Sequence, residues 1–206
     1  MPNTFEQGLL RYLSSQQLST IQKIRIGIGG AGGLGSNAAM ILVRSGFKNF
    51  EILDHDIIDA SNLNRQQYYL NEIGLDKIVV LKSRLLNINP DLNIIVHKTK
   101  WTPEAGASEQ YFKNNDFIIE AFDKTESKHA FVDFYHDKVK YIVSGNGMAG
   151  LLEKEPLQVK RAGNIYFVGD GNTDAAAGHP PMAPRVTACA AMMAEIVLDL
   201  TLGLVR

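Results

Sequence analysis

The sequence predicts a single α/β domain in which helices cover both faces of a doubly wound, Rossmann-like and mainly parallel sheet. Two observations favour this fold. Short β-branched runs alternate with amphipathic helical patterns, and a glycine-rich turn joins the first run to the first such helix. The 206 residues, of which 45% are hydrophobic, suit one sizeable core. No repeat or composition shift divides the chain, so residues 1–206 are expected to form one domain.

Five apolar runs bounded by Gly, Asn or Asp are predicted to be buried strands. They are residues 24–30, 50–56, 93–98, 116–123 and 140–145. A further, short antiparallel strand is expected near residues 164–168. It falls within a loop-rich stretch from 145 to 184, where glycine and proline are frequent, and we expect this stretch to cross back over the sheet.

Apolar residues spaced three or four apart predict the helices. One stripe consists of Leu34, Ala38, Ile41 and Leu42, a second of Ile78, Leu81 and Leu85, and a third of Met192, Ile196, Leu200 and Leu204. The third stripe belongs to a last helix that is expected to start at about Pro184. Residues 1–20 are expected to form an N-terminal helical arm.

Composition excludes several classes of protein. Lys plus Arg number 21 against 22 Asp plus Glu, a net charge of −1, so a broad basic surface for nucleic acid or anionic lipid is not expected. The single cysteine, Cys189, can form neither an internal disulfide nor a CxxC zinc cage, so zinc is predicted to be absent. With no signal sequence and no apolar run long enough to span a bilayer, a cytoplasmic location is expected.

The first candidate site is the glycine loop that follows the first strand. Gly30, Gly32, Gly33 and Gly35 allow a tight turn, close approach of backbone N–H groups to a phosphate, and tight packing of the following helix. Asp54 ends the second strand about 20 residues later, where an acid accepts hydrogen bonds from ribose hydroxyls. Both features suit the adenosine of NAD or of ATP.

Charged residues beyond the loop favour ATP. Arg65 and Lys77 follow the second strand, and Asp123 stands at the end of a later one. Hydride transfer does not require two cations and a carboxylate around a phosphate loop. Nucleotidyl transfer does, because the cations neutralise phosphate oxygens and the acid can hold Mg²⁺.

These motifs resemble the ThiF/MoeB/HesA adenylating superfamily, the bacterial relatives of ubiquitin-activating enzymes. The resemblance is carried by GAGGLG at 30–35, SNLNRQ at 61–66, IGLDK at 73–77 and the acid Asp123. It is closest to the short ThiF-type proteins of the second ThiF family, whose tails read like SGNGMAG at 144–150, GDG at 169–171 and MAPR at 182–185. It covers the chain from about residue 20 to its end.

The resemblance implies a role for each matching residue. The four loop glycines would form the phosphate loop, and Asp54 would bind the ATP ribose. Asn62 and Arg65 would contact the phosphates, and Lys77 would hold the β- and γ-phosphates. Asp123 would hold the Mg²⁺ ion. It also implies a homodimer and a protein substrate, a ThiS-like sulfur carrier that ends in Gly-Gly. The terminal carboxylate of this carrier would be adenylylated in thiamin biosynthesis, with release of pyrophosphate.

The chain departs from larger relatives at two positions. Some relatives use a cysteine to pass the activated carrier onward, but Cys189 lies among Thr187, Ala188 and Ala190 and is predicted to be a packed thiol. Relatives of the MoeB type place the second arginine of an N-terminal RYxR motif in the partner's site. Here that position is Ser14, so Arg11 is predicted to be an ordinary surface residue.

Three other functions remain open from the sequence. The acceptor could be a carboxylate on a modified tRNA base, although the near-neutral charge disfavours tRNA binding. The glycine loop alone would also fit a dinucleotide-dependent dehydrogenase. A non-catalytic relative could bind the carrier without turning it over, but such a protein would have no physical reason to retain all the charged positions.

Overall fold

A seven-stranded sheet forms the centre of the protein in the computed structural model, which describes residues 2–150, 155–173 and 178–204. Within these ranges the strands are β1 Arg25–Gly29, β2 Asn49–Asp54, β3 Asn93–Lys98, β4 Phe117–Glu120, β5 Tyr141–Gly145, β6 Gln158–Ala162 and β7 Ile165–Gly169. They lie in the order β3-β2-β1-β4-β5-β7-β6. All neighbours are parallel except β6 and β7.

The helices cover both faces of the sheet. Over the same ranges they are α1 Thr4–Leu9, α2 Ser15–Lys23, α3 Gly33–Arg44, α4 Lys77–Ile88, α5 Pro103–Glu109, α6 Thr125–Tyr135 and α7 Ala183–Leu202. Residues of α2, α3, α4 and α7 belong to one buried cluster and those of α6 to another. Alternate residues of β4 supply the two clusters, because successive side chains of a strand point to opposite faces. The predicted doubly wound fold is confirmed.

The carboxyl ends of the parallel strands meet at one edge of the sheet, and this geometry positions the candidate site. The order of the strands reverses between β1 and β4, which places a crevice beyond the ends of these two neighbours. The loop after β1, the segment after β2 and the turn after β4 all begin at this edge. Residues far apart in the sequence are therefore neighbours here.

The stretch from 145 to 184 differs from its prediction. The strand expected near residues 164–168 is β7. It is antiparallel to its neighbour β6, as predicted, but parallel to its other neighbour β5. β6 was not predicted, and it joins β7 through a turn at Gly163, where φ is +61°. All five residues of β6 are exposed, so it lacks the apolar pattern by which the other strands were found.

The predicted stripe of the last helix is correct in part. Ile196 is buried, and Met192 and Leu200 pack against the core, but Leu204 lies beyond the end of the helix. The helix also buries Val186, Cys189, Met193 and Val197, which the prediction did not include.

The expected N-terminal arm contains α1 and most of α2. Leu18 of α2 is buried, so this part of the chain packs on the domain. No helix of the described ranges is both long and apolar enough to cross a membrane.

Candidate active site

The glycine loop between β1 and α3 forms one wall of a cavity of about 770 Å³. Gly30 has a φ of +99°, and a Cβ there would lie 2.8 Å from the carbonyl oxygen of Ala121, the residue after β4. Gly32 and Gly33 also line the cavity, and α3 begins at Gly33. The unpaired N–H groups at the start of a helix attract anions, so this wall suits a phosphate. Gly35, the fourth predicted phosphate ligand, lies buried inside α3 and does not line the cavity.

Asp54 holds the glycine loop in place. Its carboxylate is buried and accepts hydrogen bonds from the backbone N–H of Ala31 at 2.6 Å and from that of Asp56 at 2.7 Å. Tyr68 donates its hydroxyl to the carbonyl of Ala31 at 2.7 Å, which fixes the next peptide group of the loop. Asp54 also lines the cavity. Its predicted contact with the ribose therefore stays a prediction, in addition to this structural role.

Arg65 and Lys77 both line the cavity, as their predicted roles require. Arg65 lies over the glycine loop, since a Cβ at Gly33 would be 3.6 Å from its Cδ atom. Its guanidinium donates to the carbonyl of Ser61 at 2.9 Å. Lys77 is buried at the start of α4 and pairs with Asp56 at 2.8 Å. Both cations are thus held at the cavity wall by the segment after β2.

Asp123 lies on the same cavity as the two cations. It follows β4 by three residues and is exposed, so its carboxylate oxygens are accessible to a ligand. Burial lowers the pKa of Arg65 from its usual value, and the charge of Asp123 opposes this shift, which places the two groups within electrostatic reach. An accessible carboxylate beside a phosphate site suits Mg²⁺, a hard cation that prefers oxygen ligands.

Asn62 differs in position from the other predicted phosphate ligands. It lies in a 3-10 turn, Ala60–Asn62, where its side chain accepts a hydrogen bond from the backbone of Asp59 at 3.2 Å. It is not among the residues that line the cavity. The structure therefore brings together Gly30, Gly32, Gly33, Asp54, Arg65, Lys77 and Asp123, but not Asn62.

Gln66 was missed by the sequence analysis. It lines the cavity and is 8% exposed, and its Oε1 atom is buried without a hydrogen-bond partner among the described residues. Its Nε2 atom lies 3.9 Å from where a Cβ of Gly32 would be. Buried polar atoms without partners are uncommon in folded proteins, so this amide is suited to receive a ligand. Its position directly after Arg65 was the only signal in the sequence.

Three potential metal ligands lie close together near the loop, but two of them already contact other groups of the protein. Ligand atoms of Asp54, His55 and Asp56 lie within 4.8 Å of one another. However, the carboxylate of Asp54 holds backbone N–H groups, and that of Asp56 pairs with Lys77. Both acids are thus engaged by groups of the protein, whereas no such contact of the Asp123 carboxylate is found among the described residues, so Asp123 remains the candidate for the metal ion.

A model of the ThiF family matches residues 6–204. The chain belongs to the ThiF family. A "Probable molybdopterin-synthase adenylyltransferase" of Porphyra purpurea is 39% identical to this ThiF-family chain over 105 residues, which cover 50% of the chain and 27% of that protein. A "tRNA threonylcarbamoyladenosine dehydratase" of Bacillus subtilis is 34% identical over 113 residues, 54% of this chain and 44% of the relative. The chain therefore spans less than half the length of these curated relatives.

A solved structure has the same fold as this ThiF-family chain. The tRNA N6-threonylcarbamoyladenosine dehydratase TcdA of E. coli, in complex with AMP, superposes with a TM-score of 0.81 at 23% identity. The match covers 96% of this chain and 93% of the other. It includes the region from β5 to α7, where the sequence analysis was least successful.

The only cysteine of this ThiF-family chain is a packed thiol, as predicted. Cys189 is fully buried in α7 and donates to the carbonyl of Val168 at 3.3 Å. Burial raises the pKa of its thiol to about 12, so almost no thiolate exists at neutral pH. It does not line the cavity.

Substitution of Cys189 by Ala is therefore expected to leave nucleotide binding unchanged. Titration calorimetry with ATP measures whether nucleotide binding is unchanged. In the native protein, Cys189 should also resist iodoacetamide and become alkylated only in denaturant, which mass spectrometry detects. Rapid alkylation of the folded protein would contradict the buried position.

Proposed function

We propose that this protein uses ATP to adenylylate a carboxylate, and that the acceptor is the C-terminal glycine of a ThiS-like, ubiquitin-fold sulfur carrier. The observation that carries the proposal is the single cavity shared by the glycine loop, Arg65, Lys77 and Asp123. The family relationship supports the reaction class, since a Porphyra purpurea relative is described as an adenylyltransferase. Structures of E. coli TcdA in complex with ATP and with AMP support the nucleotide.

The proposed reaction needs positioning and charge neutralisation more than proton transfer. A terminal carboxylate is already ionised at pH 7, so no general base is required. One of its oxygens bonds to the α-phosphorus, and the bond from that phosphorus to the bridging oxygen breaks. The electron pair leaves with pyrophosphate. Arg65 and Lys77 would neutralise the phosphate oxygens, while the start of α3 and the glycine loop would orient the triphosphate.

Mg²⁺ is part of this proposal. Asp123 would hold the ion, which when bound neutralises phosphate charge. The glycine-rich wall from Gly145 to Gly150 contributes residues 145–149 to the lining of the same cavity, and we propose that the extended Gly-Gly tail of the carrier passes along it. The homodimer, the role in thiamin biosynthesis and the cytoplasmic location also stay proposals that rest on the resemblance.

A second acceptor is favoured by a specific comparison. The relative from Bacillus subtilis is described as a tRNA threonylcarbamoyladenosine dehydratase, and its E. coli counterpart shares the fold over 93% of its chain. In this alternative the protein would activate a carboxylate on a modified tRNA base. The chemistry at the phosphate would be the same, so the acceptor alone distinguishes the two functions.

ATP–pyrophosphate exchange tests both functions. Purified protein is expected to exchange label from pyrophosphate into ATP only when a Gly-Gly-ended carrier is added, because exchange requires reversible formation of the acyl-adenylate. A carrier that lacks its last glycine is the matched control. Formation of AMP with modified tRNA, but no exchange with any carrier, would assign the second function. Failure with both acceptors, despite ATP binding, would reject the proposal.

A further inference from the structure

A buried ionic cluster joins two walls of the cavity and has no part in the reaction outlined above. Its centre is Glu120, the last residue of β4, whose side chain is fully buried. Lys128 of α6 donates to both carboxylate oxygens, at 3.2 and 3.1 Å, and Ser144 of β5 donates its hydroxyl at 2.6 Å. A buried carboxylate is costly unless it is paired and hydrogen-bonded, and here it is both.

The ammonium of Lys128 is held by the protein, although its side chain lines the cavity. Besides the two bonds to Glu120, it donates to the carbonyl of Gly145 at 2.9 Å. An ammonium group has three N–H donors, and it has three acceptor atoms of the protein within hydrogen-bond distance. These contacts suit a lysine that acts through the protein.

The cluster fixes the two segments on which the proposed reaction depends. On one side, the carboxylate of Glu120 accepts the backbone N–H of Phe122 at 2.8 Å, which sets the turn that leads to Asp123. On the other side, the bond from Lys128 holds Gly145, the first residue of the wall from Gly145 to Gly150. Lys128 therefore contacts the second segment directly and the first through the carboxylate of Glu120.

We propose that Lys128 is a positioning residue that sets the distance between Asp123 and the wall Gly145–Gly150. This proposal rests on the proposed function, in which Asp123 holds Mg²⁺ and the acceptor tail passes along that wall. Among the described residues, no hydrogen bond joins the side chains of the cluster to the glycine loop, Arg65 or Lys77, the groups that would bind the triphosphate. A defect at Lys128 should therefore affect the acceptor and the chemical step more than it affects ATP binding.

Substitution of Lys128 by Met tests the proposal kinetically. We expect kcat for carrier-dependent exchange to fall about 100-fold, because a displacement of about 1 Å at a reacting centre has an effect of this size. KM for the carrier should rise and KM for ATP should stay unchanged. Lys128→Arg can keep the contacts and should restore much of the rate. Unchanged kcat and carrier KM in a folded Lys128→Met protein would overturn the proposal.

A double variant separates positioning from charge neutralisation. In Glu120→Gln with Lys128→Met, no uncompensated charge is buried. The amide oxygen can still accept from the backbone N–H of Phe122, and the amide N–H can donate to the hydroxyl oxygen of Ser144. We expect this variant to recover the melting temperature lost in Lys128→Met but not the rate. Recovery of the full rate would show that Lys128 only neutralises Glu120, which would overturn the proposal.

Hydrogen exchange gives a result that does not depend on the reaction. In Lys128→Met, amides of residues 121–124 and 145–150 should exchange faster than in the wild type, while those of α3 should not change. Lys113→Met, at an exposed lysine outside the cavity, is the matched control. If the wild type has no activity with any acceptor, the proposed function fails but hydrogen exchange still decides the role of Lys128. Unchanged exchange at both segments would overturn it.

Discussion

Replacement of Asp123 by Asn is expected to lower the rate of acceptor-dependent ATP–pyrophosphate exchange by about 100- to 1000-fold, the effect of losing one well-placed electrostatic group in an active site. The amide has nearly the same shape but lacks the charge that would hold Mg²⁺. Because Asp123 is exposed, the substitution should leave the fold and the melting temperature unchanged.

Nucleotide binding shows whether Asp123 acts through the metal ion. Titration calorimetry should show that Mg²⁺ increases ATP affinity in the wild type but not in Asp123→Asn, whereas both proteins bind ATP equally without the metal. Glu126→Gln is the matched control, since Glu126 is an exposed acid of the same helix start that does not line the cavity. A variant at Asp123 that retains the wild-type rate would show that another group holds the metal ion.

The regular part of the fold could be predicted from the sequence because its elements are marked by burial. β1 to β5 are short apolar runs, and a strand buried on both faces has to be apolar along its length. β6 carries Gln158, Lys160 and Arg161 and is fully exposed at the edge of the sheet, so it gives no such signal. The direction of β7 depends on its neighbours β5 and β6 and cannot be read from its own residues.

The candidate site was predictable in part for a similar reason. Residue types with a chemical role, such as Arg65, Lys77 and Asp123, follow strand ends, and strand ends in a parallel sheet meet at one edge. The sequence does not show which side chains of a single turn face inward. Asn62 faces away from the cavity while Gln66, four residues later, lines it. The pairing of Glu120 with Lys128 also needs the packing of α6 on β4, which no local pattern reveals.

Gly35 packs so closely on Gly30 that adding one carbon atom at Gly35 should strongly affect stability. A Cβ at Gly35 would lie 1.8 Å from the carbonyl oxygen of Gly30, which belongs to the backbone of the phosphate loop. Side chains can rotate away from a new methyl group, but this oxygen can move only if the loop moves. The close approach of α3 to β1 therefore requires glycine.

Gly35→Ala is expected to destabilise the protein by about 3 kcal/mol, the upper part of the range for an added methyl group in a packed interior. The melting temperature should fall by roughly 6–12 °C, since 1 kcal/mol corresponds to about 2–4 °C in a protein of this size. ATP affinity should fall as well, because the displaced carbonyl belongs to the wall that we propose binds phosphate. Thermal unfolding and calorimetry measure the two effects.

Gly8→Ala is the matched control for the effect of alanine in a helix. Gly8 lies in α1, and a Cβ there would have no atom within 4 Å. Alanine at such a position is expected to stabilise the protein by up to about 1 kcal/mol, because it restricts the unfolded chain and favours the helix. The same substitution should thus have opposite signs at the two glycines. If Gly35→Ala raised the melting temperature as Gly8→Ala does, α3 could not start as close to β1 as the structure places it, and the phosphate wall would have a different shape.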